Sequence, residues 1–342
     1  MKAMVLERIQ VVSDESIPLV LREVAAPIPK EGEVRLKVAA CGVCHTELDE
    51  IEGRTPPPSL PVIPGHQVVG YVDALGPGAG RYRLGDRLGV GWIFSACGEC
   101  EYCLAGDENL CSSFVATGRD VDGGYAQFFT VPEGFAVPIP DRFSDAQAAP
   151  LLCAGAIGYR SLRLTNLQDG QSLGLAGFGA SAHIVLQLAR FLFPNSEVFV
   201  FSRSPGEQSF ARQLGAAWSG SFDDEPPACL NAIIDTTPVW FPILASLRRL
   251  CPGGRLVINA IRKESQDQAQ LALLDYPSQL WLEKEIKSVA NVSRRDIQEF
   301  LELAAHIPIL PEFQEYPLED ANQALWELKN RKIRGAKVLR IP

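Results

Sequence analysis

The sequence predicts an α/β protein of two domains, a mainly β half followed by a half built on a parallel sheet, and three observations carry that prediction. At 342 residues the chain exceeds what one hydrophobic core usually holds. Residues 1–150 are rich in glycine and proline, with short β-branched runs at 34–39, 67–72 and 125–131 between turn signals. From about Leu151 strand and helix patterns alternate, which implies parallel strands joined by right-handed helical crossovers.

The second half opens with an apolar strand at 172–176, an Ala- and Leu-rich helix at 180–193 and a strand at 197–201. A helix near 208–214, a strand at 232–235, a helix around 243–250 and a strand at 255–259 continue the alternation. No internal repeat or low-complexity segment interrupts it. Beyond Ser288, amphipathic helices at 295–305 and 319–330 precede a closing apolar strand at 337–341, and this tail is expected to return to the first domain.

Composition narrows the function. An apolar content of 46% with 21% charged residues is that of an ordinary globular protein. A net charge of -9 argues against nonspecific attraction to nucleic acid or anionic membrane, both being negative themselves. The first 16 residues lack the apolar core of a signal peptide, so export is not expected and the cytoplasm is the expected location. The most apolar segment, 173–193, is broken by Gly177 and Gly179 and carries His183, Gln187 and Arg190, which fits a buried strand, turn and helix better than a membrane span. Nine cysteines in such a compartment need a reason other than disulfides.

Spacing supplies one reason. Cys97, Cys100, Cys103 and Cys111 follow the pattern C-x2-C-x2-C-x7-C, four thiolates on one tight loop, a ligand set that suits tetrahedral zinc. Four soft donors leave no position for substrate, so the ion is expected to be structural. An iron–sulfur cluster also takes four cysteines, in other spacings.

Cys44, His66 and Cys153 lie in separate segments, and spacing alone does not join them. Cys44 sits in GVCHTEL, His66 follows the turn Pro64-Gly65, and Cys153 lies in APLLCAG at the entrance to the second half. Two thiolates and an imidazole would leave the fourth position of a zinc ion free, as catalytic sites require. For Cys153 a small core residue is the plain alternative.

Over nearly its whole length the chain resembles the zinc-containing alcohol dehydrogenases of the medium-chain dehydrogenase/reductase superfamily, with a bacterial subgroup suggested by segments such as 288–304. The carrying segments are GVCHTEL (42–48), PGHQVVG (64–70), the four-cysteine lobe, APLLCAGAIGYRSL (149–162) and GFGASAH (177–183), in matching order and spacing. The resemblance implies a GroES-like, mainly β catalytic domain formed by 1–153 and 292–342, with a structural zinc lobe at about 95–113. It implies a Rossmann-type doubly wound parallel sheet at 154–291. It further implies two zinc ions per chain, with Cys44, His66 and Cys153 holding the catalytic one, Thr46 bonding the substrate oxygen, His45 near the cofactor pyrophosphate and Trp92 walling the substrate pocket. Simple packing is the alternative for Trp92. Substrates would be small alcohols and aldehydes, and the assembly a homodimer or homotetramer.

Two residues depart from the family pattern. Gln67 stands where a glutamate usually follows the ligand histidine, which removes a carboxylate able to approach the metal. Asp49 stands where many members end a proton relay in histidine, and a carboxylate is the weaker proton acceptor at neutral pH. Glu47, where aspartate is common, is expected to support the ligand histidine from one step behind.

The cofactor signal is Gly177-Phe178-Gly179-Ala180-Ser181-Ala182, a turn between strand and helix whose amides suit a pyrophosphate. In isolation a structural turn explains it as well; inside a strand-helix-strand unit it is specific. At the end of the second strand, Ser202-Arg203-Ser204 replaces the acidic residue that would accept the ribose hydroxyls of NAD. No carboxylate is expected there to repel a 2′-phosphate, and Arg203 can pair with one, so NADP is expected over NAD. A solvated surface arginine is the alternative. Cys41, Cys229 and Cys251 have no assigned task and are expected to be buried thiols. Rival functions are a zinc-free quinone or enoyl reductase, against which the three candidate ligands argue, a polyol or cinnamyl-type dehydrogenase, and a noncatalytic zinc- and nucleotide-binding protein.

Overall fold

The computed structural model describes residues 1–330 and 334–342, which fall into two compact units. One comprises Met1–Ala156, Val292–His306 and Pro311–Pro342; the other comprises Ile157–Asn291 and Ile307–Leu310.

The first unit is built around a seven-stranded, largely antiparallel sheet. Its long strand Glu33–Val43 pairs with Val68–Leu75 along one edge and with Phe128–Pro132 and the C-terminal strand Ala336–Arg340 along the other. Lys337 lies opposite Val43, so the chain's last strand is bonded beside the residue that precedes Cys44. Alternate residues of Glu33–Val43 (Val34, Leu36, Val38) point into a core completed by Leu48, Ile51, Val68, Tyr125 and Phe129. Only the β-branched runs were legible in advance. The hairpin Lys2–Leu6 with Leu19–Glu23 carries no turn motif short enough to announce it.

The second unit is a six-stranded parallel sheet. Its strands, in spatial order, are Trp218–Gly220, Val198–Phe201, Leu173–Ala176, Leu230–Asp235, Leu250–Ile258 and Glu285–Ser288. In chain order that is 3-2-1-4-5-6, the doubly wound arrangement, which opens a crevice where the order reverses, at the carboxyl ends of the first and fourth strands. The central strands are fully buried and read as continuous apolar runs, as a sheet covered on both faces must. The expected helix at 180–193 occupies Ala182–Leu192, because the turn consumes two more residues. The edge strand Glu285–Ser288 went unforeseen: it is exposed throughout and half charged, so it carries no apolar signal.

One expectation fails. Cys229 and Cys251 are joined by a disulfide and are not buried thiols. Each neighbours the start of one of two adjacent parallel strands, whose register pairs Leu230 with Leu250, and this brings their Cα atoms within 5.1 Å. A sequence separation of 22 gives no hint of that register. Cys41 is buried as expected, and burial pushes its thiol pKa up. Among the described residues no helix is long and apolar enough to cross a membrane.

Gly65 has a φ of +100°, and a Cβ there would sit 2.3 Å from the ring of Tyr125. Gly65→Ala is therefore expected to cost about 2–4 kcal/mol of unfolding free energy. Denaturant titration of the variant against the parent chain measures it, and a loss under about 0.5 kcal/mol would mean that the turn before His66 is not so constrained.

Candidate active site

Cys44 ends the central strand and caps the helix His45–Ile51: its sulfur accepts from the Thr46 amide at 3.4 Å, and its own amide donates to Glu47 Oε2 at 2.9 Å. His66 comes from the turn that leads into Val68–Leu75. Cys153 is carried by a π-helical turn, Leu151–Gly155, which follows the helix ending at Pro150. Such turns are rare and favour functional positions, and sequence patterning does not foretell them.

These three side chains converge. Cys44 Sγ lies 3.6 Å from His66 Nε2, which lies 3.3 Å from Cys153 Sγ. Tetrahedral zinc with ligand bonds of about 2.3 Å to sulfur and about 2.0–2.1 Å to nitrogen sets a sulfur and a nitrogen about 3.6 Å apart. The donor set and its spacing thus fit the ion. Electrostatics agree: a hydrogen bond to Cys153, burial and the charge of Glu47 push the Cys44 thiol up, with His66 opposing, a balance that a divalent cation between the sulfurs reverses.

Glu47, fully buried, places Oε1 2.5 Å from His66 Nδ1. Burial opposes the charge on each partner, yet their mutual attraction dominates, raising His66 and lowering Glu47. The contact also fixes the ring so that Nε2 is the nitrogen facing the sulfurs. Gln67 is buried too and packs onto Gly42, where a Cβ would come within 2.4 Å of its amide oxygen.

Thr46 is partly exposed and His45 exposed on the same short helix, and Asp49 follows Thr46 by three residues, hence on one face. The Asp49 carboxylate is buried and accepts from Arg54 Nε at 2.5 Å. Trp92 is buried with its ring centroid 4.9 Å from that of Phe114 and the Arg119 guanidinium 5.3 Å over its face. Sequence reasoning missed Glu50. It is 1% exposed and neither oxygen has a well-formed hydrogen bond; burial, then the charge of Glu47, pushes its carboxyl up to about 8, while His66, Arg119 and the Trp92 indole pull less strongly the other way. Only its position one helical turn beyond Thr46 and Glu47 hinted at this.

The four-cysteine lobe is equally compact. Cys97 Sγ lies 3.8 Å from Cys103 Sγ and 3.5 Å from Cys111 Sγ, against about 3.8 Å between two sulfurs of a tetrahedral zinc site, and Cys100 completes the group. Backbone amides of Glu99 and Cys100 bring the Cys97 thiol down to about 6, into the range where it ligates as thiolate.

In the parallel-sheet unit, Gly177 takes a φ of +82°, and a Cβ there would lie 2.9 Å from Thr236 Oγ1. Gly179 faces open space, Ala180 and Ser181 are partly exposed, and the helix Ala182–Leu192 starts immediately after. Open space at Gly179 thus lies directly before a helix N-terminus, where a dinucleotide pyrophosphate is received in such folds. Ser202 is buried at the end of its strand, and Arg203 beside it is exposed with no ion pair among the described residues. A carboxylate stands here after all: Glu207, in the first turn of the next helix, accepts from Ser202 Oγ at 2.5 Å. It is five residues further on, outside the stretch read for acidic character, and reaches back because the helix turns it there.

Residues 30–141 match the alcohol dehydrogenase GroES-like domain family. The chain is 44% identical to a probable alcohol dehydrogenase, AdhA, of Mycobacterium tuberculosis, over 92% of this chain and 90% of that one. It is 34% identical to an alcohol dehydrogenase of Geobacillus stearothermophilus, over 97% and 98% respectively. The solved cinnamyl alcohol dehydrogenase of Sorghum bicolor superimposes with a TM-score of 0.85 at 28% identity, covering 99% of this chain and 97% of that one. Likeness of that extent in sequence and fold leaves one conclusion: the chain belongs to the zinc-containing alcohol dehydrogenases of the medium-chain dehydrogenase/reductase superfamily.

Proposed function

We propose that this alcohol dehydrogenase is zinc-dependent and transfers hydride between a small primary alcohol or its aldehyde and a nicotinamide dinucleotide, with NADP preferred over NAD. The supporting observation is the convergence of Cys44, His66 and Cys153, from segments 22 and 87 residues apart, at a spacing that suits one tetrahedral ion. Two such ions per chain are proposed, the second in the four-cysteine lobe.

When bound, zinc supplies a Lewis acid that polarises the carbonyl or eases loss of the hydroxyl proton. The residues do the rest. Glu47 orients His66, while the Thr46 hydroxyl is assigned to the substrate oxygen and to relaying its proton. Asp49 is assigned to the end of that relay, held by Arg54. His45 is assigned to the pyrophosphate. Ser202 and Arg203 are assigned to the ribose, where Arg203 would pair with the 2′-phosphate. Trp92, whose ring packs on Phe114, is assigned to the wall of the substrate pocket. That wall, with the likeness to the sorghum enzyme, favours a second reading in which the substrate is a cinnamyl-type, flat aromatic alcohol.

A homo-oligomer built on the edge strand Glu285–Ser288 is also proposed. This edge is unpaired in the described residues and flanked by exposed Trp281 and Leu282, with Ile286 outward on the strand itself. Two copies can pair across a twofold axis, which hides the apolar row and the open backbone groups together.

His66→Ala is expected to lose one of two zinc ions by metal analysis and at least about a thousandfold of kcat/KM, with the four-cysteine ion retained. Full turnover by that variant would rule out the catalytic assignment. Glu47→Gln should keep both ions but hold the catalytic one about ten- to a hundredfold more weakly in chelator competition; unchanged affinity would strip Glu47 of its role. Replacing Ile286 by Lys is expected to shift the sedimentation coefficient to that of a single chain, and an unaltered sedimentation profile would place the interface elsewhere.

A further inference from the structure

The carboxyl end of strand Val198–Phe201 closes a small ring of hydrogen bonds. Ser202 Oγ donates to Glu207 Oε2 at 2.5 Å and accepts from the Ser204 amide at 3.1 Å. Ser204 caps the helix Pro205–Gln213 by accepting from the Glu207 amide at 3.3 Å, and Gln208 Nε2 donates to the Ser202 carbonyl at 2.7 Å. One carboxylate is thereby fixed against the strand end, and the adjacent Arg203 is left exposed. In doubly wound folds this strand end is where a carboxylate meets ribose hydroxyls, or an arginine a 2′-phosphate. This chain has both at the same strand end, the carboxylate of Glu207 on Ser202 and Arg203 next in sequence.

Resting on the nicotinamide reading above, we propose that Glu207 is a cofactor-selecting residue: its carboxylate serves the free ribose hydroxyls of NAD, Arg203 serves the 2′-phosphate of NADP, and the site accepts both. Glu207 has an oxygen, Oε1, beyond the one that Ser202 engages, and so retains acceptor capacity for a ribose hydroxyl. Its charge repels a phosphate in the same place. Arg203 offsets that repulsion and pairs with the phosphate. The preference for NADP is held well short of exclusive.

The test is isothermal titration of the zinc-loaded full chain with NADPH, NADH and two probes lacking nicotinamide, 5′-AMP and adenosine 2′,5′-bisphosphate. Glu207→Gln is expected to tighten NADPH and the bisphosphate about fivefold and to weaken NADH and 5′-AMP by a similar factor. Arg203→Ala is expected to weaken only the two 2′-phosphorylated ligands. Glu207→Asp keeps the charge but draws it back from Ser202; it should shift the same ratio by a smaller factor and serves if the Gln variant does not fold. A common change in all four affinities, or none, in a folded Glu207 variant overturns the proposal. A parent chain that binds neither dinucleotide overturns the nicotinamide reading instead, so the two failures are distinguishable.

Discussion

Two thiols and an imidazole can share one buried point only if each backbone that delivers them is fixed independently, and the rest of the first unit is arranged to meet that constraint. The central strand Glu33–Val43 is paired with Ala336–Arg340 as far as Val43 on one edge and with Val68–Leu75 as far as Cys41 on the other, so Cys44 leaves it at a set place. The turn at Gly65 is wedged under Tyr125, so His66 has no freedom along its chain. Gly155, two residues past Cys153, is packed so closely on Phe300 that a Cβ would come within 2.3 Å of the ring. Three rigid deliveries replace the entropy that a flexible site would have to lose on binding an ion.

The same economy governs charge. Glu47 orients His66, bonds the amide of Cys44 and caps the helix with one side chain. It is acidic at a helix N-terminus, where the dipole favours it, and buried, where only His66 and backbone amides make its charge tolerable. Glu47, one methylene longer than aspartate, reaches both the Cys44 amide and His66 from the first helical turn.

How much of this was legible follows from the range over which each signal acts. The four-cysteine lobe is local, all four ligands within 15 residues, and its spacing alone suffices. The glycine turn and its flanking strand and helix are local as well, which is why only their ends shifted. The trio of Cys44, His66 and Cys153 is nonlocal, and it is the family resemblance that joins its residues; no periodicity links Cys44 to Cys153. What escaped depends on register or helical reach. The Cys229–Cys251 disulfide needs the parallel pairing of two strands, the carboxylate of Glu207 needs a helix to turn it back onto Ser202, and the exposed edge Glu285–Ser288 has a single apolar residue, Ile286, too little to betray it. Charged residues near a site are read from sequence by adjacency, whereas the fold brings them together by turns and strand ends.

Gln67 can be understood on those terms. In the family a carboxylate follows the ligand histidine; here the neighbourhood already contains two buried carboxyls, Glu47 and Glu50, beside two thiols. Burial and the charge of Glu47 push Glu50 up to about 8, and a third carboxylate at position 67 would raise the repulsion further. A divalent cation held between the sulfurs would favour ionised Glu50, since each positive charge nearby favours the anion. Arg119 acts in the same direction from its seat over Trp92. The neutral amide at 67 and the buried acid at 50 thus bear on one charge balance: Gln67 adds no negative charge beside His66, and Glu50 is buried one helical turn beyond Glu47.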